Sequence, residues 1–123
     1  MKLRNNLYSI TETEFSHDKQ NFKIILNSSC FIYTAHFPGM PITPGVCIIQ
    51  IIEELLSEYR KKPLQLSAVK FAKFLSVLKP EGQELYVTFT SIKEMNEIIN
   101  SMVVVSDLSG IVYAKVSLQA IAA

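Results

Sequence analysis

Pro38, Gly39, Pro41, Pro44 and Gly45 fall within eight positions, and no further Pro or Gly follows until Pro63. Proline fixes φ and lacks an N–H donor, while glycine loosens the backbone, so no regular element can run through 38–45. The segment is a shaped loop. Nothing from Val46 to Lys61 breaks a helix, and Pro63 stops one. The first half of that stretch, Val46-Cys47-Ile48-Ile49-Gln50-Ile51-Ile52, is apolar nearly all round, which predicts a helix buried on every side. Its second half, 53–62, is charged and is expected to reach solvent, with Glu53 and Glu54 as solvated charges or partners of Ser57 and Lys61. Lys61 and Lys62 suit the negative end of the helix dipole.

The rest of the chain reads as β. Residues 7–14 and 22–27 predict two strands joined across the polar turn 17–21, forming a hairpin. Residues 28–37 are irregular, with room for one helical turn. After the helix, strands are expected over 66–75, 84–93, 95–106 and 111–121, with turns at 80–83 and 107–110. Val87 and Phe89, Val103 and Val105, and Val112, Ala114, Val116 and Leu118 show the period of two. Short turns between the last three strands favour antiparallel pairing. The fold class is α+β, since a sheet wrapped around one apolar helix buries both economically.

The chain has 123 residues, which suits a single domain spanning 1–123. Its apolar share of 49% is high enough to suggest apolar surface buried in a subunit interface or a channel. The net charge of +1 gives no global field for nucleic acid or an anionic membrane. No apolar run is long enough to span a bilayer, and no apolar stretch follows Lys2 and Arg4 as in a leader. Cys30 and Cys47 make no disulfide framework and read as free buried thiols. A cytoplasmic protein is expected. No set of residues has metal-ligand spacing, so no metal is expected, and no glycine loop cradles a phosphate.

The segment His36-Phe37-Pro38-Gly39-Met40-Pro41-Ile42-Thr43-Pro44-Gly45-Val46, with the element order around it, resembles the 3-hydroxyacyl-[acyl carrier protein] dehydratases of bacterial fatty acid synthesis. Every fixed position of their signature up to Val46 is matched. A weaker echo runs from Lys73-Phe74 to Pro80, where a basic run is thinned to Leu75-Ser76. The resemblance implies a hot-dog fold, an antiparallel sheet around one long central helix. It also implies a homodimer, with higher association left open, and active sites at the interface that take a histidine from one subunit and an acid from the other. The substrate implied is an acyl carrier protein or coenzyme A thioester. Its phosphopantetheine arm is part of the substrate, and no separate cofactor is expected.

Dehydration of such a thioester needs a base at the carbon beside the carbonyl, a donor for the enolate oxygen and help for the departing hydroxyl. His36 suits the first role, because imidazole titrates near neutrality. By resemblance, a loop carbonyl holds its ring, and Ile42 occupies the matching position. Gly45 suits the second role: helix N-termini carry unpaired N–H groups, and glycine permits close approach. At the third position the sequence departs from the family, because Gln50 stands where the resemblance puts Asp or Glu. An amide can hold a hydroxyl or a water but cannot release a proton. Glu54, one turn on, is a possible acid, and His36 performing both transfers is another route. Tyr33, Phe37, Ile42 and Val46 are expected to line the substrate channel. Lys70, Lys73 and Lys79 are weaker candidates for contact with an acidic carrier. Two rival readings stay open: an impaired subunit that binds acyl chains or pairs with an active partner, and an acyl thioesterase.

Overall fold

A computed structural model describes residues 2–36 and 39–123, the side chain of His36 excepted. Its elements are β1 (Tyr8–Phe15), β2 (Gln20–Leu26), α1 (Phe31–His36), α2 (Gly45–Arg60), β3 (Leu64–Phe74), β4 (Glu84–Met95), β5 (Ile98–Asp107) and β6 (Val112–Ala122). The strands form one sheet in the order β1-β2-β4-β5-β6-β3. Every neighbouring pair is antiparallel.

The period of two in the sequence decides which face of each strand meets the helix. Phe22, Ile24 and Leu26 of β2 are buried, as are Leu85, Val87 and Phe89 of β4 and Val103 and Val105 of β5. Ala114, Val116, Leu118 and Ala120 continue the set on β6. Against them α2 lays Cys47, Ile48, Ile51, Ile52, Leu55 and Leu56, pairs that recur every turn and make one broad apolar stripe. Register shifts in β1, β3, β4 and β6 act as bulges that bend the strands around this stripe. Pro44 stands at the helix N-cap in an extended conformation, and Lys61 ends it in the left-handed region, at φ 56°.

Three expectations need correction. The helix is not buried on every side: Val46 is 72% exposed and Ile49 only half-buried. The sheet covers one side of α2; among the described residues the N-terminal segment reaches Glu54 on the other, while Val46 stays exposed. The charged half of α2 is not simply solvated either, because Leu55 and Leu56 are buried there and Glu53 accepts the Leu66 N–H at 2.9 Å. Residues 31–36, expected to be mostly irregular, form the short helix α1.

The N-terminal segment carries no periodicity yet is part of the core. Leu3 and Leu7 are buried, and the Leu7 N–H donates to the Leu3 carbonyl at 2.7 Å. Asn5, at φ 65°, makes the bend.

The β4–β5 hairpin turns on Asn96 and Glu97, at φ 53° and 64°. Both lie in the left-handed region that a two-residue type I′ turn requires. Asparagine tolerates that region, whereas glutamate is strained there by about 1 kcal/mol. Glu97→Gly is expected to raise unfolding stability by about 0.5–1 kcal/mol, after the entropic cost of glycine. Urea denaturation followed by circular dichroism measures it.

Candidate active site

Three pieces of chain meet at the start of α2. The first is α1, which ends at His36. The second is the loop before Gly45, and the third is the segment that follows β3. Ile42, Thr43, Gly45 and Ile48 form one wall of an open groove of about 360 Å³, and residues 74–78 form the other. Gly45 opens the first turn of α2, where an N–H has no partner within the helix. A Cβ placed on Gly45 would come within 2.8 Å of the Phe74 ring. Phe74 is 48% exposed, and the glycine is what lets its ring lie this close to the helix terminus. That wall was not anticipated from the sequence; only the Lys73-Phe74 echo hinted at it.

The loop is held from beneath. Tyr33 and Thr43 are 3% and 4% exposed, and their hydroxyls lie 2.8 Å apart. The Thr43 N–H also donates to the Leu78 carbonyl at 2.8 Å. Tyr33 therefore packs in the core beneath the groove rather than along its open surface. Burial pushes its phenol above the ordinary range, against a smaller opposing effect of the Thr43 hydrogen bond, so it stays neutral. Ile42 lines the groove, whereas Val46 points away from the sheet into solvent. The imidazole of His36 and all of Phe37, both expected in the site, lie outside the described residues.

Gln50 lies apart from the groove. It shares a cleft of about 640 Å³ with Lys2, Arg4, Glu53, Glu54 and others along the exposed face of α2. Its Nε2 donates to Glu54 Oε2 at 3.1 Å. A carboxylate only accepts, so this contact fixes which end of the amide faces Glu54. Glu54 in turn receives the N–H of Leu3 at 2.8 Å, the N–H of Arg4 at 2.9 Å and the hydroxyl of Tyr8 at 3.0 Å. Burial, reinforced by the Glu54 charge, pushes the Tyr8 phenol far above its ordinary range, so Tyr8 is a donor at any working pH. Four donors converge on one carboxylate. Glu54 thus fastens the N-terminal segment to the helix and orients Gln50 from the same side chain. Its i, i+4 relation to Gln50 was legible in the sequence, but its grip on the N-terminus was not.

The remaining candidates are surface groups. Lys70 Nζ donates to Asn100 Oδ1 at 3.1 Å, Lys73 Nζ lies 5.8 Å from the Phe71 ring centroid, and Lys79 is exposed. Burial raises the Cys47 thiol, which leaves it protonated and unreactive in the core. Among the described residues no His, Cys, Asp and Glu cluster is placed to hold a metal, and no helix is long and apolar enough to cross a membrane.

A bent antiparallel sheet around one helix, with a Pro-Gly loop leading to a glycine at the helix N-terminus, defines a hot-dog fold. The match to the ApeI-like family model, described as ApeI dehydratase, covers residues 12–107, and the chain belongs to that family. Among curated proteins it is 28% identical over 102 residues to the 3-hydroxyacyl-[acyl-carrier-protein] dehydratase FabZ of Latilactobacillus sakei, covering 76% of this chain and 70% of that one. It is 31% identical over 70 residues to FabZ of Ligilactobacillus salivarius, a match that spans only 50% of either protein. Among solved structures, the dehydratase heterocomplex ApeI:P from Xenorhabdus doucetiae aligns with a TM-score of 0.72 at 17% identity, over 91% of this chain and 96% of that one.

Replacing Glu54 strands three donors besides the Gln50 amide, two of them backbone groups that no side-chain change can spare. Hydrogen bonds to charged acceptors contribute about 1.5–3 kcal/mol each, so Glu54→Ala is expected to cost roughly 2–4 kcal/mol after water replaces part of the set. Glu58→Ala, which breaks only exposed contacts to Arg4 and Lys61, is expected to cost under about 1 kcal/mol. Urea midpoints of the two variants, measured side by side, test the ranking.

Proposed function

We propose that this chain removes water from a 3-hydroxyacyl thioester in acyl-chain biosynthesis. The observation that carries the reading is the first turn of α2. There a half-buried glycine, whose N–H has no partner in its own helix, lines an apolar groove directly after a loop that begins at the one histidine of the motif. A thioester oxygen at Gly45 would be polarised by that N–H and by the positive end of the helix dipole. His36 then takes the proton from the carbon beside the carbonyl, and the electron pair moves onto the thioester oxygen as an enolate. When the enolate collapses, the carbon–hydroxyl bond breaks. The imidazolium returns its proton to the departing hydroxyl, so the products are water and an enoyl thioester. Gln50 holds the hydroxyl or a water, and its amide supplies orientation rather than a proton. Glu54 is a poor candidate for the acid, since its oxygens already serve four donors.

The open face of α2 suits a dimer of this chain. Val46 leads that face, Ile49 and Gln50 continue it, and exposed Val69 and Phe74 belong to the adjoining sheet edge. A second copy across this face would bring one subunit's Gln50 toward the other's groove. A second reading has the partner as a different dehydratase chain that supplies a carboxylate. Gln50 itself favours it, as does the neighbour solved as a heterocomplex.

The test uses purified protein with 3-hydroxyacyl thioesters of acyl carrier protein and of coenzyme A, products read by mass. Loss of water identifies the lyase; free acid alone would identify a thioesterase. His36→Ala is expected to lower turnover by a factor on the order of 10² to 10⁴. Activity that survives this change would defeat His36 as the base, and activity that appears only after adding an acid-bearing partner chain would defeat the homomeric reading.

Gln50→Glu gives a sharper result. The new carboxyl would face Glu54 across the present 3.1 Å contact, and two carboxylates so close share one proton. Glu54 is held by two backbone N–H groups and a phenol, so the proton settles on the new group. A neutral carboxylic acid at pH 7 is what the departing hydroxyl needs. Turnover is expected to rise by about ten- to a hundredfold, falling again only as pH climbs past the raised value. Adding Glu54→Gln removes the neighbouring charge and should move that alkaline limb to lower pH. The pH–rate profiles of the two variants decide it.

A further inference from the structure

Thr43 sits where the three pieces of the groove come together, and its bonds join all of them. Its hydroxyl meets the Tyr33 hydroxyl at 2.8 Å, in a contact closed to solvent. Tyr33 stands one turn before His36 on α1. The Thr43 N–H donates to the carbonyl of Leu78, itself buried in the wall opposite. Thr43 also lies two residues before Gly45, and the Pro44 between them is rigid: φ −62°, ψ 145°, its carbonyl accepting the N–H groups of Cys47 and Ile48. The path from Tyr33 to the Gly45 amide therefore contains one hydrogen bond and one constrained residue, with little slack.

We infer that Tyr33 and Thr43 are positioning residues, whose mutual hydrogen bond sets the separation between the end of α1, where His36 stands, and the Gly45 N–H. The inference rests on the dehydratase reading of the site, since that reading gives the separation its meaning. Two hydroxyls in an apolar core are a costly way to fill space, because each needs a partner once water is excluded. Two apolar side chains of the same shape would pack as well. What apolar packing does not supply is direction. An oxygen–oxygen contact holds the loop to a few tenths of an ångström, and a displacement of about 1 Å between reacting groups can lower a rate a hundredfold. The pair spans ten residues of sequence, so it closes the whole motif loop on itself.

Tyr33→Phe, Thr43→Val, the double variant and Thr43→Ser test the idea. Each single change strands one buried hydroxyl and should lower the melting temperature. The double change removes both hydroxyls and should recover most of that loss. Turnover should behave differently: roughly tenfold lower kcat in both singles and equally low in the double, with KM within about twofold of wild type. Thr43→Ser keeps the hydroxyl and should restore kcat. If kcat tracks stability and returns in the double variant, or if either single keeps wild-type kcat, the pair is merely structural and the inference falls.

The same variants carry a second readout that needs no turnover. In protein labelled at histidine ring carbons and glycine nitrogens, both singles and the double should shift the His36 ring and Gly45 amide signals and leave His17 unmoved. Should the wild-type chain dehydrate nothing, the dehydratase reading fails and these spectra judge the clamp alone. Unchanged His36 and Gly45 signals in all three variants would overturn it.

Discussion

The structure depends on one act of burial: the apolar stripe of α2 pressed into the concave side of a bent sheet. Cys47, Ile48, Ile51, Ile52, Leu55 and Leu56 leave water on one side, and alternate residues of β2, β4, β5 and β6 leave it on the other. Fully burying side chains of this size contributes about 1.5–3 kcal/mol each before the entropy of ordering them is set against it. The site inherits its position from this burial. The helix begins where it does because Pro44 cannot extend it backwards, and Gly45 is then the first residue to offer an N–H along the dipole. A loop that would otherwise wander is thereby anchored at the one point where a developing negative charge can be met.

The sheet leaves part of the helix exposed, at Val46 above all. Val46, Val69 and Phe74 are exposed. Gln50 lines the cleft along that same side.

Much of this could be read from residue order. The Pro-Gly loop, the long helix and the alternating strands are local signals, and each element lies within a few residues of where the pattern puts it. The missed features depend on distance in sequence. Leu3 and Leu7 sit among Lys2, Arg4, Asn5 and Asn6 with no period to reveal them, and only the folded chain shows that Glu54 receives the N–H groups of Leu3 and Arg4. Glu53 and Glu54 look like solvated helix charges because an i, i+4 rule sees only their own helix. Tyr33 and Thr43 are ordinary residues ten positions apart until the loop brings their hydroxyls together. The identity of Gln50 was legible as a departure from the family pattern. The direction of its amide was not, because that is set by a carboxylate whose other partners lie some fifty residues away.

Glu54 grips amides at positions 3 and 4, not side chains. The grip is therefore nearly blind to which amino acids occupy those positions, provided an apolar group fills the Leu3 pocket. It is not blind to proline, which has no N–H to offer. Drift in the first residues of the chain should be free in charge and size at position 4 yet closed to one imino acid, a restriction that arises from a helix half a chain away.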